Sequence, residues 1–514
     1  METWFIIVVS FSISILLKFL LSVVSTNKRL LPPGPTTVSL LVNYFLWFRD
    51  SISDLETYLQ QLMLKYGPII TLNIGSRAAV FIGSHELAHI SLVENGSIFS
   101  DRPKTLPASK IVNSDQHIIS AAKYGPTWRL LRRNLSSEIL HPAQVKLYSQ
   151  ARERVMSVLV RRLFATDNNV VRVVDHFQDT MSCLLVRMCF GDKLEENEVK
   201  KIEGVQRELL LNLGRFHVLN FWPIFGKILF YKRWRQLYQL RRNQEDVLIP
   251  LIEARVEKSK EIKVDREDFV TAYVDTLMKL KLPEEGNRKL SYEEIVSLCL
   301  EFLNAGTDTI TSALQWIMAN LVKHPEIQAR LYDEIVSVSG NSPSLLGEQV
   351  GKLVVVKEAD LQQMSYLKAV VLESLRLHPP GHFLLPHSVT EEIELNGYVI
   401  PKDVRINFMV AQMGRDPKVW DDPMEFKPER FLNENGDAFD ITGSREIKMM
   451  PFGAGRRICP GLNLALLHLE YFVANLVWYF EWNAPADILV DLSEKLEVTA
   501  VMKNPLLAQI SPRA

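Results

Sequence analysis

Pro451-Phe452-Gly453-Ala454-Gly455-Arg456-Arg457-Ile458-Cys459-Pro460-Gly461 leads into the apolar, helix-periodic run Leu462 to Val477, so Cys459 stands at a helix amino terminus. Unpaired backbone N–H groups and the positive end of the helix dipole favour an anion there. The expectation is a thiol pKa low enough for a thiolate to bind metal. Gly453, Gly455 and Gly461 permit positive φ and let the backbone approach a flat macrocycle closely. Arg457 has the reach to pair with a carboxylate on the edge of such a group, and Phe452 to shield the sulfur from water.

The rest of the composition agrees with one metal-binding cysteine in a large globule. The chain has 514 residues, of which 47% are apolar and 23% charged, which excludes disordered, collagen-like and polytopic membrane classes. A net charge of -1 supplies no global field to recruit nucleic acid, so no nucleic-acid partner is expected. The other cysteines, Cys183, Cys189 and Cys299, show no C-x-x-C or zinc-like spacing and read as small buried hydrophobes in a reduced compartment.

At the other end, Trp4 to Val24 is almost wholly apolar and long enough to cross a hydrocarbon core of roughly 30 Å as one helix. Lys18 lies towards its carboxyl end, where it can snorkel. Glu2 precedes the span and Lys28 and Arg29 follow it, which places the carboxyl side in the cytosol. The competing reading, a cleavable secretory signal, fits less well: the apolar run is too long and has no clear small-residue cleavage site. Residues 1–27 are expected as the transmembrane anchor, residues 28–36 as a basic, proline-rich hinge, and residues 37–514 as the catalytic domain. Leu31-Pro32-Pro33-Gly34-Pro35 reads as a stiff extended strut.

Between these ends, helical periodicity dominates: Ala143 to Phe164, Val174 to Phe190, Leu237 to Glu257, Tyr292 to Val322 and Asp360 to Leu377. Ile69 to Ile74, Ala79 to Ile82, Ile393 to Ile400 and Val404 to Phe408 look like hairpin strands. The fold class is mainly α with a small β portion. Arg255 to Asp268 reads as a solvated charge run, and the aromatic stretch Phe216 to Tyr231, with Phe221, Trp222 and Phe225, as core or as a membrane-facing entrance.

The pattern F-x-x-G-x-R-x-C-x-G around Cys459 resembles the haem-binding signature of the cytochrome P450 family, and the likeness extends over essentially the whole chain. Five fixed positions would recur by accident in a chain this long on the order of one time in ten thousand. The resemblance implies the cytochrome P450 haem-thiolate fold, preceded by one transmembrane helix, and haem b (iron protoporphyrin IX) with Cys459 as iron ligand. Ala305-Gly306-Thr307-Asp308-Thr309 looks like the family's oxygen-activation motif. Thr309, bonding back to the carbonyl of Ala305, and Asp308, relaying protons from solvent, are the expected catalytic pair. Gly306 is expected to let the helix approach the iron, and Ile310, where relatives often have Thr or Ser, to shape the pocket.

Glu373 and Arg376 resemble the family's E-x-x-R pair, and Arg430 in Phe426-Lys427-Pro428-Glu429-Arg430-Phe431 its partner, in a buried structural network. Glu285 and Arg288 match E-x-x-R too, but in a loop where no rigid helix orients them. Trp128 and Arg132, four apart, resemble the family's propionate-binding pair. His387 is a further propionate candidate or a satisfied structural histidine. His324 and His378, each preceding a proline, read as helix caps. Lys123, Arg129, Arg133, Lys448 and Arg456 suggest a docking surface for an acidic electron donor, or merely solvated basic residues.

What the resemblance implies in sum is a monooxygenase that inserts one atom of dioxygen into an apolar small-molecule substrate. Its electrons would come from NADPH through NADPH-cytochrome P450 reductase. The expected setting is the endoplasmic reticulum membrane, single-pass, with the catalytic domain facing the cytoplasm and in contact with lipid. The strut and the cysteine loop resemble the plant microsomal A-type branch, family 89 among it. Two rivals remain: a haem-thiolate isomerase or dehydratase, against which Asp308 and Thr309 argue, and a non-catalytic haem sensor or carrier. Pocket walls are expected around Pro103 to Ala121, Leu210 to Phe225, Ala305 to Ile310 and Gly381 to Leu385.

Overall fold

Ser291 starts the helix that organises the molecule. Its hydroxyl accepts the Glu294 N–H at 3.2 Å while the Glu294 carboxylate accepts the Ser291 N–H at 2.8 Å, a reciprocal cap that satisfies two orphan donors. The helix then runs as Tyr292–Lys323 and stops before Pro325, at His324. It is buried nearly all round from Ile310 to Val322 and from Ile295 to Leu300, as expected of a helix that threads a core, while Asn304 to Gly306 and Asp308 to Thr309 are partly open. The computed structural model describes residues 31–35, 52–74, 77–166, 170–191, 194–220, 226–261, 270–340, 353–432 and 438–513.

Helices Val173–Phe190, Ser365–Leu377 and Leu462–Tyr479 pack against this central helix and share its largest apolar cluster. Glu196–Phe216 and Tyr231–Glu261 pack on each other at one side. Pro126–Glu138 carries Trp128 and Arg132. The largest sheet of the β portion is four-stranded: Ile69–Ile74 and Arg77–Ile82 form a hairpin, Arg405–Phe408 lies parallel to the second of them, and His387–Ser388 closes the edge.

Several elements differ from the sequence reading for identifiable reasons. The periodic run from Ala143 to Phe164 is two helices, Pro142–Leu147 and Ser149–Phe164, broken at Tyr148, whose hydroxyl is drawn to the Thr271 carbonyl at 2.6 Å. Asp360–Gln363 is a separate 3-10 turn ahead of Ser365–Leu377. Val404 to Phe408 belongs to no hairpin, because its partner is the distant strand Arg77–Ile82. Ile393–Leu395 and Tyr398–Ile400 do form one, across Asn396 and Gly397, both at positive φ.

The strut is tied to the globule. The Pro33 carbonyl accepts the Thr71 N–H at 2.9 Å, and a Cβ on Gly34 would lie 1.9 Å from the Thr71 oxygen, so glycine is required for that approach. The span at 1–27, the aromatic residues Phe221, Trp222 and Phe225, and most of the charge run after Glu261 lie outside the described residues. Among the described residues no helix is long and apolar enough to cross a membrane.

Candidate functional site

Cys459 lies two residues ahead of Gly461, the residue that caps helix Leu462–Tyr479. A 3-10 turn, Gly455–Arg457, precedes it, and its own N–H donates to the Phe452 carbonyl at 2.8 Å, closing the loop. The Gly461 N–H donates to the Cys459 sulfur, and Arg132 lies close enough to favour the thiolate. Burial outweighs both and pushes the free thiol above its usual value, contrary to the low value expected from the helix start. A metal held by this sulfur would favour its thiolate form.

Two of the three glycines take the positive φ expected of them. Gly453 and Gly455 have φ of 71° and 68°, but Gly461 does not have positive φ. A Cβ on Gly455 would sit 1.8 Å from the Leu92 carbonyl, so that glycine admits the close approach of a neighbouring segment of this chain. The Phe452 ring packs against an apolar cluster with Trp420 and Phe431, and its carbonyl accepts the Cys459 N–H.

Above this loop lies a buried cationic group. Arg457 donates to the carbonyls of Ser100 and Ala122, both at 2.7 Å, and to that of Ile119 at 3.2 Å, and its guanidinium lies 4.5 Å from the Trp128 ring centre. It is pulled down to about 9, chiefly by burial and then by Arg102 and Arg132. Arg102, which the sequence reading missed, donates to the carbonyls of Ser120, Leu385 and Pro386 and is pulled down to about 10 by burial. A single Arg in a loop has no periodic signature that would have flagged it.

His387 meets the Phe99 carbonyl through Nδ1 at 2.7 Å; burial, then Arg102, lowers it to about 3, so the ring is neutral. The Trp128 Nε1 is buried without a partner, and no described residue accepts a hydrogen bond from Arg132. Two guanidiniums facing carbonyls, a third with no acceptor among the described residues and an orphan indole N–H fit a group that brings its own carboxylates.

In the central helix the Thr309 hydroxyl donates to the Ala305 carbonyl at 2.6 Å, as its position predicts. Asp308 has one carboxylate oxygen buried without a partner, and burial raises its pKa against the pull of Arg207. Gly306 faces Leu185, whose methyl would lie 2.6 Å from a Cβ, so glycine lets helix Val173–Phe190 pack closely there. Glu301, one turn earlier, accepts the N–H groups of Ile119 and Ser120 at 2.8 and 2.6 Å and ties the expected pocket wall to this helix.

Glu373 and Arg376 are both fully buried and joined by two hydrogen bonds of 2.7 and 2.8 Å. Arg430 completes the network at 3.2 Å from Glu373. Glu285 and Arg288 also pair, at the surface, because Glu294 of the helix cap holds the arginine at 2.7 Å. His324 and His378 lie at helix ends as expected, but His378 binds Glu494 at 2.7 Å and stacks on Trp316, so it does more than cap. Among the basic surface residues, Arg129 and Arg456 both lie over the Tyr124 ring beside Lys123; Lys448 instead leans to Glu446.

The sequence matches the cytochrome P450 family over residues 32–511. The chain is a cytochrome P450. It is 48% identical to cytochrome P450 89A9 of Arabidopsis thaliana, covering 99% of this chain and 98% of that one, which agrees with the family 89 resemblance. It is 31% identical to a protein of Coptis japonica named probable (S)-N-methylcoclaurine 3'-hydroxylase isozyme 2, over 100% and 99% of the two chains. A zebra fish cytochrome P450 solved with abiraterone shares its fold at a TM-score of 0.69 and 22% identity, over 88% of this chain and 98% of that one. This P450 is thus an enzyme of the monooxygenase class with a haem-iron cofactor.

Proposed function

We propose that this P450 inserts one atom of dioxygen into an apolar small molecule, anchored in the endoplasmic reticulum by residues 1–27 with its catalytic domain facing the cytoplasm. NADPH supplies the electrons through NADPH-cytochrome P450 reductase, which docks at the Lys123, Arg129 and Arg456 surface. The observation that carries the proposal is the set of Arg102, Arg132, Arg457 and Trp128 beside Cys459: among the described residues no carboxylate accepts a hydrogen bond from these arginines, Asp101 and Glu301 acting on them only from farther off, and the Trp128 indole N–H is buried without a partner.

Haem b would be held by Cys459 at the iron and by Trp128, Arg132, Arg457 and His387 at its propionates, and when bound it supplies the reductive activation of dioxygen. Everything else falls to the chain. Burial raises the Asp308 carboxyl above its usual value, which favours its taking up a proton to pass inward. Thr309 donates to Ala305 and keeps its oxygen lone pairs free to accept a proton or a water. Glu301 and Arg102 hold the loop from Pro103 to Ala121 in place as a pocket wall that excludes solvent.

The test is a reduced carbon-monoxide difference spectrum of the purified protein, followed by reconstitution with reductase, NADPH and labelled dioxygen across a compound library. One labelled oxygen per product molecule is expected. Turnover that needs no NADPH would instead establish an isomerase or dehydratase.

A further inference from the structure

A cavity of about 530 Å³ lies where helix Tyr231–Glu261 meets helix Pro107–Val112 and the start of the central helix. Ser114, Arg235, Tyr238, Arg241 and Arg242 line it. Two carboxylates line it as well, and both are engaged: Glu245 accepts Arg241 Nε at 2.8 Å, and Glu293 takes its own N–H and the Ser291 hydroxyl. Arg241 is only 5% exposed; its Nη2 donates to the Glu293 carbonyl at 2.7 Å, while its Nη1 is buried without a partner. Arg235 and Arg242 are exposed, and no described residue pairs with either. The surplus is cationic donors converging on one concavity.

The surroundings say what kind of anion. Helix Gly226–Leu229 leads straight into Tyr231–Glu261, and Ile228, Tyr231, Arg235, Tyr238 and Arg242 follow one another at three- and four-residue spacing along one face. Ile228 and Leu229 are 80% and 71% exposed, and Tyr231 and Tyr238 63% and 55%. Arg235 lies about 6 Å and Arg242 about 16 Å along the axis from Tyr231. An apolar tip with guanidiniums one to three turns behind it matches a bilayer interface, where the tip enters the acyl region and the arginines meet the phosphates.

We propose that this cavity binds the phosphate of an anionic phospholipid headgroup, with Arg235, Arg241 and Arg242 as donors and the Tyr238 hydroxyl beside them. The site rests on the membrane attachment proposed above and is separate from the haem-thiolate centre. It adds a lipid-selective contact that fixes how the globule sits on the bilayer.

The full-length protein in detergent is titrated, under native mass spectrometry, with dioleoylphosphatidic acid, dioleoylphosphatidylcholine and inorganic phosphate in turn. One phosphatidic acid is expected to bind in preference to phosphatidylcholine, and the double variant Arg235→Ala, Arg242→Ala to weaken it about tenfold or more. An unchanged carbon-monoxide difference spectrum shows that the double variant is folded, and Arg242→Lys, keeping one charge, should retain part of the affinity. Equal binding of both lipids, or equal binding by wild type and double variant, overturns the site. Inorganic phosphate binding as tightly as the lipid overturns the headgroup assignment. Flotation with neutral vesicles reads the anchor alone: its loss in the wild type strikes at the membrane reading, whereas its persistence with no lipid preference strikes only at this one.

Discussion

At the scale of single residues, Cys459 and Thr309 make separable predictions. Cys459→Ala is expected to abolish the thiolate-type carbon-monoxide spectrum, and a normal thiolate spectrum in that variant would refute the ligand assignment. Thr309→Ala removes a hydroxyl that bonds its own helix at 2.6 Å, so the spectrum should stay while NADPH oxidation outruns product, by roughly tenfold or more. Comparing NADPH consumed with product formed decides it; tight coupling in the variant would remove Thr309 from proton handling.

His468 offers a test in the pH dimension. It is fully buried, its Nε2 has no partner, and burial, aided by Arg152, lowers it to about 3. The folded ring therefore stays neutral where the unfolded ring takes a proton, so the unfolded chain binds more protons below about 6.5 and this contribution to stability falls as pH falls. His468→Leu should lose less stability than the wild type by about 1.4 kcal/mol for each pH unit below about 6.5. Urea midpoints at pH 7.0 and 5.5 measure the difference, and parallel losses in the two proteins would reject it.

At the scale of elements, the Glu373 network locks helix Ser365–Leu377 to the segment that leads to the cysteine loop. Arg376 also donates to the carbonyls of Gly414 and Pro423, both at 2.7 Å, so one side chain joins three stretches of chain. Arg376→Leu leaves Glu373 charged and buried with only Arg430 and the Lys427 N–H as partners, and should destabilise by about 3–5 kcal/mol. Haem content per chain and the urea midpoint are both expected to fall; an unaltered midpoint would mean the network is dispensable. The loop has a comparable constraint in Gly455, where any side chain meets the Leu92 carbonyl.

At the scale of the whole molecule, charge and anchoring govern partners. Arg129 and Arg456 gather on Tyr124, with Arg456 donating to its hydroxyl at 2.6 Å, into an exposed basic patch. The double variant Lys123→Glu, Arg456→Glu should raise the reductase concentration needed for half-maximal turnover several-fold at low ionic strength and leave the carbon-monoxide spectrum intact. The gap should narrow at high salt, as for any screened surface interaction. A salt-independent defect would place the effect in the fold instead.

The sequence alone determined the cysteine loop, the helix behind it and the Asp308–Thr309 pair, because each depends on neighbours within about one helical turn. The Glu373–Arg376 spacing is equally local; its surface twin at Glu285 and Arg288 sits in a loop with no rigid helix to orient it, and only the tertiary structure brings Glu294 to Arg288. Arg102, the Glu301 bonds to Ile119 and Ser120, the packing of Gly306 on Leu185, and the parallel strand pair Arg77–Ile82 with Arg405–Phe408 were decided by tertiary structure. These join residues tens to hundreds of positions apart, and no periodicity records which distant backbone will arrive. The thiol of Cys459 shows the same division: its place before a helix is local, but the burial that raises its pKa is the work of the assembled core.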